Sequence, residues 1–210
     1  MLILISAMAF AFLFIRIIYT QSFRFLFLPW NLFLAFVPYA ITNYIMRKEH
    51  NMYRIKIIAY LAIWWLFLPN APYIVTDLVH LKLSSYYSVW LDMLIIYLFS
   101  IAGLLFGFKS VKNAALIITS QFGAKYHSIF VNLAVLSCGF GIYLGRIVRL
   151  NSWDMILHPF VNLQYILKLF VHPDNSLIAW SFSLIVGFFL LALYHIFSLF
   201  ATYDYQEKSI

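Results

Sequence analysis

Apolar residues in this chain gather into long runs separated by short polar stretches. The runs are Leu2 to Tyr19, Phe25 to Met46, Tyr53 to Leu68, Trp90 to Phe108, Ser128 to Leu144 and Leu177 to Thr202. An α-helix rises ~1.5 Å per residue, so a hydrocarbon core of ~30 Å needs roughly 20 apolar residues. By that measure the pattern predicts about six transmembrane helices in an all-α integral membrane bundle. A single transmembrane domain covering 1–210 is expected, since no repeat or linker divides the chain. Met1 to Ile15 has no preceding Lys or Arg, so it reads as a retained first span rather than a secretory signal.

The third run departs from the pattern. Between Lys56 and Pro69 only Ile57 to Leu68 intervenes, about 18 Å as a helix. The run then meets Pro69-Asn70-Ala71-Pro72 before apolar residues resume at Tyr73. Proline removes a backbone donor and clashes with the preceding turn, so the helix should kink or stop there. Backbone freed at membrane depth is tolerated only where protein or trapped water satisfies it. A short, Pro-interrupted apolar segment therefore points to a site.

Smaller signals concern packing and the interface. Gly103 and Gly107 stand four apart, as do Gly141 and Gly145, a spacing that lets helix backbones approach closely in lipid. Gly139-x-Gly141 superficially matches a dinucleotide loop, but no strand precedes it. From Lys109 to His127 the chain is mixed, with an apolar stretch, Ala114 to Thr119, too short to span. Phe160 to Val171 is amphipathic and is expected to lie in the interface as a short helix.

Composition sharpens the class. Of 210 residues, 65% are hydrophobic and 10% charged, against about a quarter charged in a soluble domain. A water-soluble core of this size could not hide so much apolar surface. The 14 Lys and Arg against 7 Asp and Glu give +7. These bases flank apolar runs, where they meet headgroups and set orientation, and they form no stripe for nucleic acid. One cysteine, Cys138, excludes an intrachain disulfide.

Six spans would put Arg47, Lys48, Arg54, Lys56, Lys109, Lys112, Lys125 and Lys208 on one side. Arg16, Arg24, Lys82, Arg146, Arg149 and Lys168 would fall on the other. This bias favours both termini in the cytoplasm. It also puts the loops after spans three and five on one face.

Two polar clusters carry the candidate chemistry. The first runs from Pro69 to Leu81. If helical after Pro72, Tyr73, Asp77 and His80 share one stripe, with Thr76 beside it and Ile74, Leu78 and Leu81 pointing elsewhere. An Asp and a His three apart could ligate a metal or act as an oriented acid–base pair. They could equally satisfy each other, with Asn70 capping the new helix. The second cluster runs from Gly141 to Asp154 and on to His158. Arg146 and Arg149 could clamp a phosphate or carboxylate. Asn151 or Ser152 looks like an N-cap that would put Asp154 in a first helical turn. Plain roles compete here too, because Arg snorkels, Trp153 anchors and Asp154 serves a helix dipole. Asp92 belongs to the same side. His50, His127, His172 and His195 are isolated and read as packing or hydrogen-bonding residues.

Two of these runs are also where a family shows. Trp65-Leu66-Phe67-Leu68-Pro69-Asn70-Ala71-Pro72-Tyr73-Ile74-Val75-Thr76-Asp77-Leu78 is one. Gly141-Ile142-Tyr143-Leu144-Gly145-Arg146 through Arg149-Leu150-Asn151-Ser152-Trp153-Asp154 is the other. Both resemble the domain-of-unknown-function family 1361 of bacterial multi-pass membrane proteins, from about Asn31 to the sixth span. The resemblance implies one membrane domain and a bacterial cell-membrane location. It carries no activity, so no catalytic residue comes with it. Leu150 departs from the aromatic expected before Asn151.

Three functions follow as expectations. An enzyme would use Asp77, His80 and Asp154 as catalytic groups. Asn70, Tyr73, Arg146, Arg149 and Asn151 would bind a lipid-linked or anionic substrate. Any divalent ion would draw on Asp77, His80, Asp154 and His158. A transporter for a small ion or solute would use the broken helix, with Asp77 or Asp92 as the moving charge. A membrane scaffold would use the same polar residues to hold loops together.

Overall fold

The computed structural model describes residues 2–83, 89–150, 157–171 and 173–207, and every regular element among them is helical. We number the α-helices α1 (Leu2–Thr20), α2 (Phe27–Lys48), α3 (Arg54–Phe67), α4 (Asn70–Tyr73), α5 (Val89–Phe122), α6 (His127–Tyr143), α7 (Pro159–Val171) and α8 (Pro173–Glu207). A 3₁₀ segment, Ile74–Leu83, follows α4, and a π turn, Leu144–Val148, extends α6. Helices long and apolar enough to cross a membrane are Leu2–Thr20, Arg54–Leu81, Val89–Phe122, Ala124–Val148 and Leu177–Phe200. Helix α2 has 22 residues, about 33 Å of helix. Pro29, Asn31, Pro38, Thr42, Asn43 and its tyrosines dilute its hydropathy. The chain is thus a multi-pass all-α membrane bundle, in which five of the described helices are long and apolar enough to cross and α2 is long enough but more polar.

Two spans differ in extent from the apolar runs. The third continues through its proline break to Leu81, because the residues after Pro72 remain apolar and helical. The fourth continues through the mixed residues after Phe108 to Phe122, making a helix of 34 residues. Nothing before Gly123 breaks it. That glycine, at φ +104, takes a conformation that costs an L side chain strain and so ends the helix.

The chain forms two compact units, 1–114 and 115–210. In the first, side-chain contacts define the register of α1, α2 and α3 against α5. Arg16 bonds Asp92 and Phe10 packs edge-on against Phe99, so α1 is antiparallel to the first half of α5. Phe36 meets Phe106, and Asn113 Nδ2 donates to Asn43 at 3.0 Å, so α2 is parallel to α5. Trp64 Nε1 donates to Ser110 Oγ at 3.2 Å, and Gly103 packs on Ala71 and Ile74. Helix α3 and its continuation are therefore antiparallel to α5. One apolar cluster, including Ala9, Leu13, Leu28, Leu32, Ile74, Ile96 and Phe99, binds these elements. On its outer face α1 exposes Ile3, Leu4, Phe14 and Ile18, as a lipid-facing helix does.

In the second unit α6 packs on α8. A Cβ at Gly139 would press on the backbone of Ser183 and Gly187, and one at Gly187 would lie 2.9 Å from the Leu136 carbonyl oxygen. Phe140 stacks on Trp180, and Tyr143 tilts on Phe182. Helix α7 exposes Phe160, Val161, Leu163 and Leu167, the face an interfacial helix offers to acyl chains.

Candidate functional site

The first cluster owes its shape to its prolines. Helix α3 ends when Leu68 N–H donates to Trp64 O at 2.9 Å, and Pro69 then has no donor to offer. The chain recovers by tighter turns. Ala71 N–H reaches Leu68 O at 3.1 Å, and Asn70 Nδ2 reaches back to Phe67 O at 2.9 Å. Asn70 thus serves the break as a backbone donor. After one α turn the chain narrows to 3₁₀ geometry through Leu83, unusually long for that form.

This narrowing changes which residues share a stripe. At three residues per turn, i and i+3 eclipse. Ile74, Asp77 and His80 therefore align, while Tyr73 falls about a third of a turn away. The expected Tyr73–Asp77–His80 stripe holds only for Asp77 and His80, and Ile74 joins it instead of pointing elsewhere. Tyr73 instead accepts at its carbonyl from Thr76 Oγ1, at 2.6 Å.

Asp77 is 1% exposed. Asn31 Nδ2 donates to its Oδ2 at 2.8 Å, and His80 Nε2 lies 3.9 Å from its Oδ1. His80 is half-buried and rests against the Phe27 ring, 4.9 Å between centroids. A buried carboxylate is tolerated only when hydrogen-bonded or neutralised, and these neighbours meet that need. The height of the pair follows from the helix register. Asn31 lies one to two turns before Phe36, which is level with Phe106, so Asp77 is level with about residue 100 of α5. Phe10, near the middle of α1, is level with Phe99. Asp77 is therefore level with the middle of α1.

A buried ion pair stands nearer the far end of α1. Arg16 Nε donates to Asp92 Oδ1 at 2.9 Å, with side chains 3% and 0% exposed. Arg16 also donates from Nη1 to Ser22 O at 2.8 Å and covers the Phe25 ring. The sequence pattern treats Arg16 as a loop cation at the end of an apolar run and passes over Asn31 within one. Each is a polar residue embedded in an apolar helix, the signal by which both could have been found.

The second cluster belongs to the second unit. Helix α6 widens into the π turn and stops at Arg149, which is left-handed at φ 66, ψ 33. Arg149 and Leu150 both turn their N–H groups to Leu144 O. Such a conformation is costly for a non-glycine residue, and π turns recur at functional sites. Arg149 is exposed and Arg146 half-buried. His158 is exposed, and its carbonyl accepts from Asn162 N–H at 3.2 Å. Asn151 and Asp154 lie outside the described residues, as do Ser152 and Trp153. Among the described residues no three His, Cys, Asp or Glu gather to hold a metal, and Asp77 with His80 makes only a pair. Of the isolated histidines, His127 bonds Thr119 at 3.1 Å and His195 bonds Leu191 O at 2.8 Å.

These features define a class: a multi-pass helical membrane protein with a polar centre at a proline break inside one span. The chain belongs to the family described as "Protein of unknown function (DUF1361)", whose model matches residues 30–193. The match takes in Asn31, Asp77, His80, Asp92, Arg146 and Arg149, and Arg16 precedes it. No curated protein and no solved structure matches the chain.

Proposed function

We propose that the chain transports a small ion or solute, with the broken segment Asn70–Leu83 as its binding place and Asp77 as the responding charge. One observation carries this reading: Asp77 is buried level with the middle of α1, a span of 19 residues. An ionisable group at that height is costly, and such groups mark ion and proton paths. A proline-interrupted span with its backbone opened toward protein is the element on which transporter sites are built. His80, 3.9 Å from Asp77 and half-buried, adds a second protonatable group. The test is flux in vesicles reconstituted with purified protein and loaded with pH- and cation-reporting dyes. Wild-type vesicles should dissipate an imposed gradient faster than empty ones, and Asp77→Asn vesicles should match empty ones. Equal rates for wild type and Asp77→Asn would sink the reading.

A second reading, an enzyme acting on a lipid-linked or anionic substrate, has its own support in the second unit. Arg146 and the left-handed Arg149 end α6 with two guanidinium groups, suited to phosphate or carboxylate. It predicts that expressing the wild type alters the cell's lipid profile and that Arg149→Ala abolishes the change. Identical profiles for the two chains would remove this reading.

In either case we place the chain in the cell membrane with its N-terminus in the cytoplasm. Within the first unit, Arg47, Lys48, Arg54, Lys56, Lys109 and Lys112 all lie toward the end where α1 begins, and all are exposed. Arg16, toward the other end, is neutralised by Asp92. The basic excess therefore accompanies the start of α1.

A further inference from the structure

We propose that Asp77, Asn31 and Ser100 form a binding site for a small monovalent cation with oxygen ligands, sodium being the best fit. This deepens the transport reading and rests on it for its biological meaning, though binding can be measured without transport. The observation that points to a ligand is Ser100. Its side chain is 4% exposed and its Oγ is without a hydrogen-bond partner, although a serine within a helix commonly bonds the carbonyl four residues back. Ser181, Ser183 and Thr20 do this here. A buried hydroxyl left without a partner is costly and needs an explanation.

Register tells where Ser100 faces. On α5, Gly103 and Gly107 are the residues that pack on the broken segment, Gly103 meeting both Ala71 and Ile74. Ser100 lies one turn before Gly103 and two before Gly107, on that same face. On the broken segment, one 3₁₀ turn beyond Ile74 is Asp77. The hydroxyl and the carboxylate are thus at one height on facing elements. Ser6 Oγ, also buried and without a partner, lies one turn from Phe10 on α1, near that height. The layer holds a carboxylate, an amide and two hydroxyls, surrounded by the apolar cluster.

The donor set selects the ligand class. Asp77, Asn31 and Ser100 each offer an oxygen, the ligand a hard cation prefers, and the His80 imidazole 3.9 Å from Asp77 is the one nitrogen ligand near them among the contacts described. A multivalent ion draws on several charged ligands, and among the described residues no three His, Cys, Asp or Glu gather to supply them. A proton alone would satisfy Asp77 but would leave the Ser100 hydroxyl as it is. In membrane transporters, cations of this kind are held where a span is unwound.

The test is thermal unfolding of the purified full chain in detergent, followed by tryptophan fluorescence. Sodium chloride is titrated against choline chloride at constant ionic strength. Because a ligand that binds only the folded state stabilises it by mass action, the wild-type midpoint should rise saturably with sodium and not with choline. Asp77→Asn, which keeps the shape, and Ser100→Ala, which removes one hydroxyl, should each lose the sodium-dependent rise. Asn43→Ala, which breaks the separate Asn43–Asn113 contact, should keep it. Should Asp77→Asn fail to fold, Ser100→Ala decides the question. An equal rise in choline, or a sodium rise that survives Ser100→Ala, overturns the site. Sodium stabilisation without flux would defeat the transport reading and leave the site standing, whereas flux without sodium stabilisation would do the reverse.

Discussion

Arg16 is the residue whose environment departs furthest from what its position in the chain suggests. A base near the end of an apolar run ordinarily snorkels to the headgroups. Here the side chain turns inward, pairs with Asp92 and lies 3% exposed. Removing one member of a buried ion pair strands the other charge and costs about 3–5 kcal/mol, while replacing both with apolar residues of similar size is often neutral. We therefore expect Arg16→Ala to lower the unfolding midpoint and the amount of protein in the membrane sharply. Arg16→Met combined with Asp92→Leu should recover both. Should the double variant be as poor as the single one, the ion pair itself stabilises the α1–α5 contact and a stranded charge is not the cause of the loss. The partner of Arg16 is 76 positions away, so only a folded α1–α5 contact reveals it. The partner of Asn31, Asp77, is likewise distant in the chain. By contrast, the Asp77–His80 spacing was legible, because i and i+3 remain neighbours in α and 3₁₀ geometry alike.

At the scale of elements, the break after α3 was readable from Pro69 and Pro72, since proline acts locally. The form taken afterwards was not. Whether the chain resumes as an α-helix or a 3₁₀ helix depends on what it packs against, and here it packs against glycines of α5. A Cβ at Gly103 would lie 2.8 Å from the Ala71 carbonyl oxygen and 2.8 Å from Ile74 Cδ1. Backbone cannot yield as a side-chain tip can, so Gly103→Val should destabilise the chain by about 1–3 kcal/mol, the usual cost of overpacking. It should also shift the segment that bears Asp77. Gly123→Ala offers a contrast. Nothing lies within 4 Å of its added Cβ, yet its φ is +104, so its cost is backbone strain of about 1–3 kcal/mol with no effect on the Asp77 segment. Thermal midpoints, read with vesicle flux, separate the two: both variants lose stability, but only Gly103→Val should lose flux in the protein that remains folded. Loss of flux in Gly123→Ala as well would mean that stability alone governs the assay. The Gly103–Gly107 spacing announced a close approach correctly. In α6 a closer approach still falls at Gly139, against the backbone of Ser183 and Gly187, two residues before the Gly141–Gly145 pair whose spacing suggested one.

For the whole molecule, the charge distribution of the first unit forecasts which way that unit faces. Over six spans the flanking bases stand eight to six, and setting Arg16 aside as neutralised by Asp92 makes that eight to five. Within the first unit the bias is stronger, with Arg47, Lys48, Arg54, Lys56, Lys109 and Lys112 at one end and Arg24 and Lys82 at the other. Positive loops stay in the cytoplasm. In a chain carrying Cys138→Ser, a cysteine introduced at His50 should resist a membrane-impermeant maleimide in intact cells and react once they are permeabilised. A cysteine at Ser22 should react from outside directly. The reverse pattern would put the α2–α3 turn outside and contradict the assignment. Orientation also bears on energetics. A cation reaching Asp77 from outside would cross about half the bilayer, and each elementary charge moved across the full potential is worth about 2.3 kcal/mol per 100 mV. Sodium entry would then be driven by the resting potential, inside negative. An inward-directed sodium flux should consequently quicken when a potassium diffusion potential makes the vesicle interior negative, in vesicles whose inserted orientation the same cysteine pair reports.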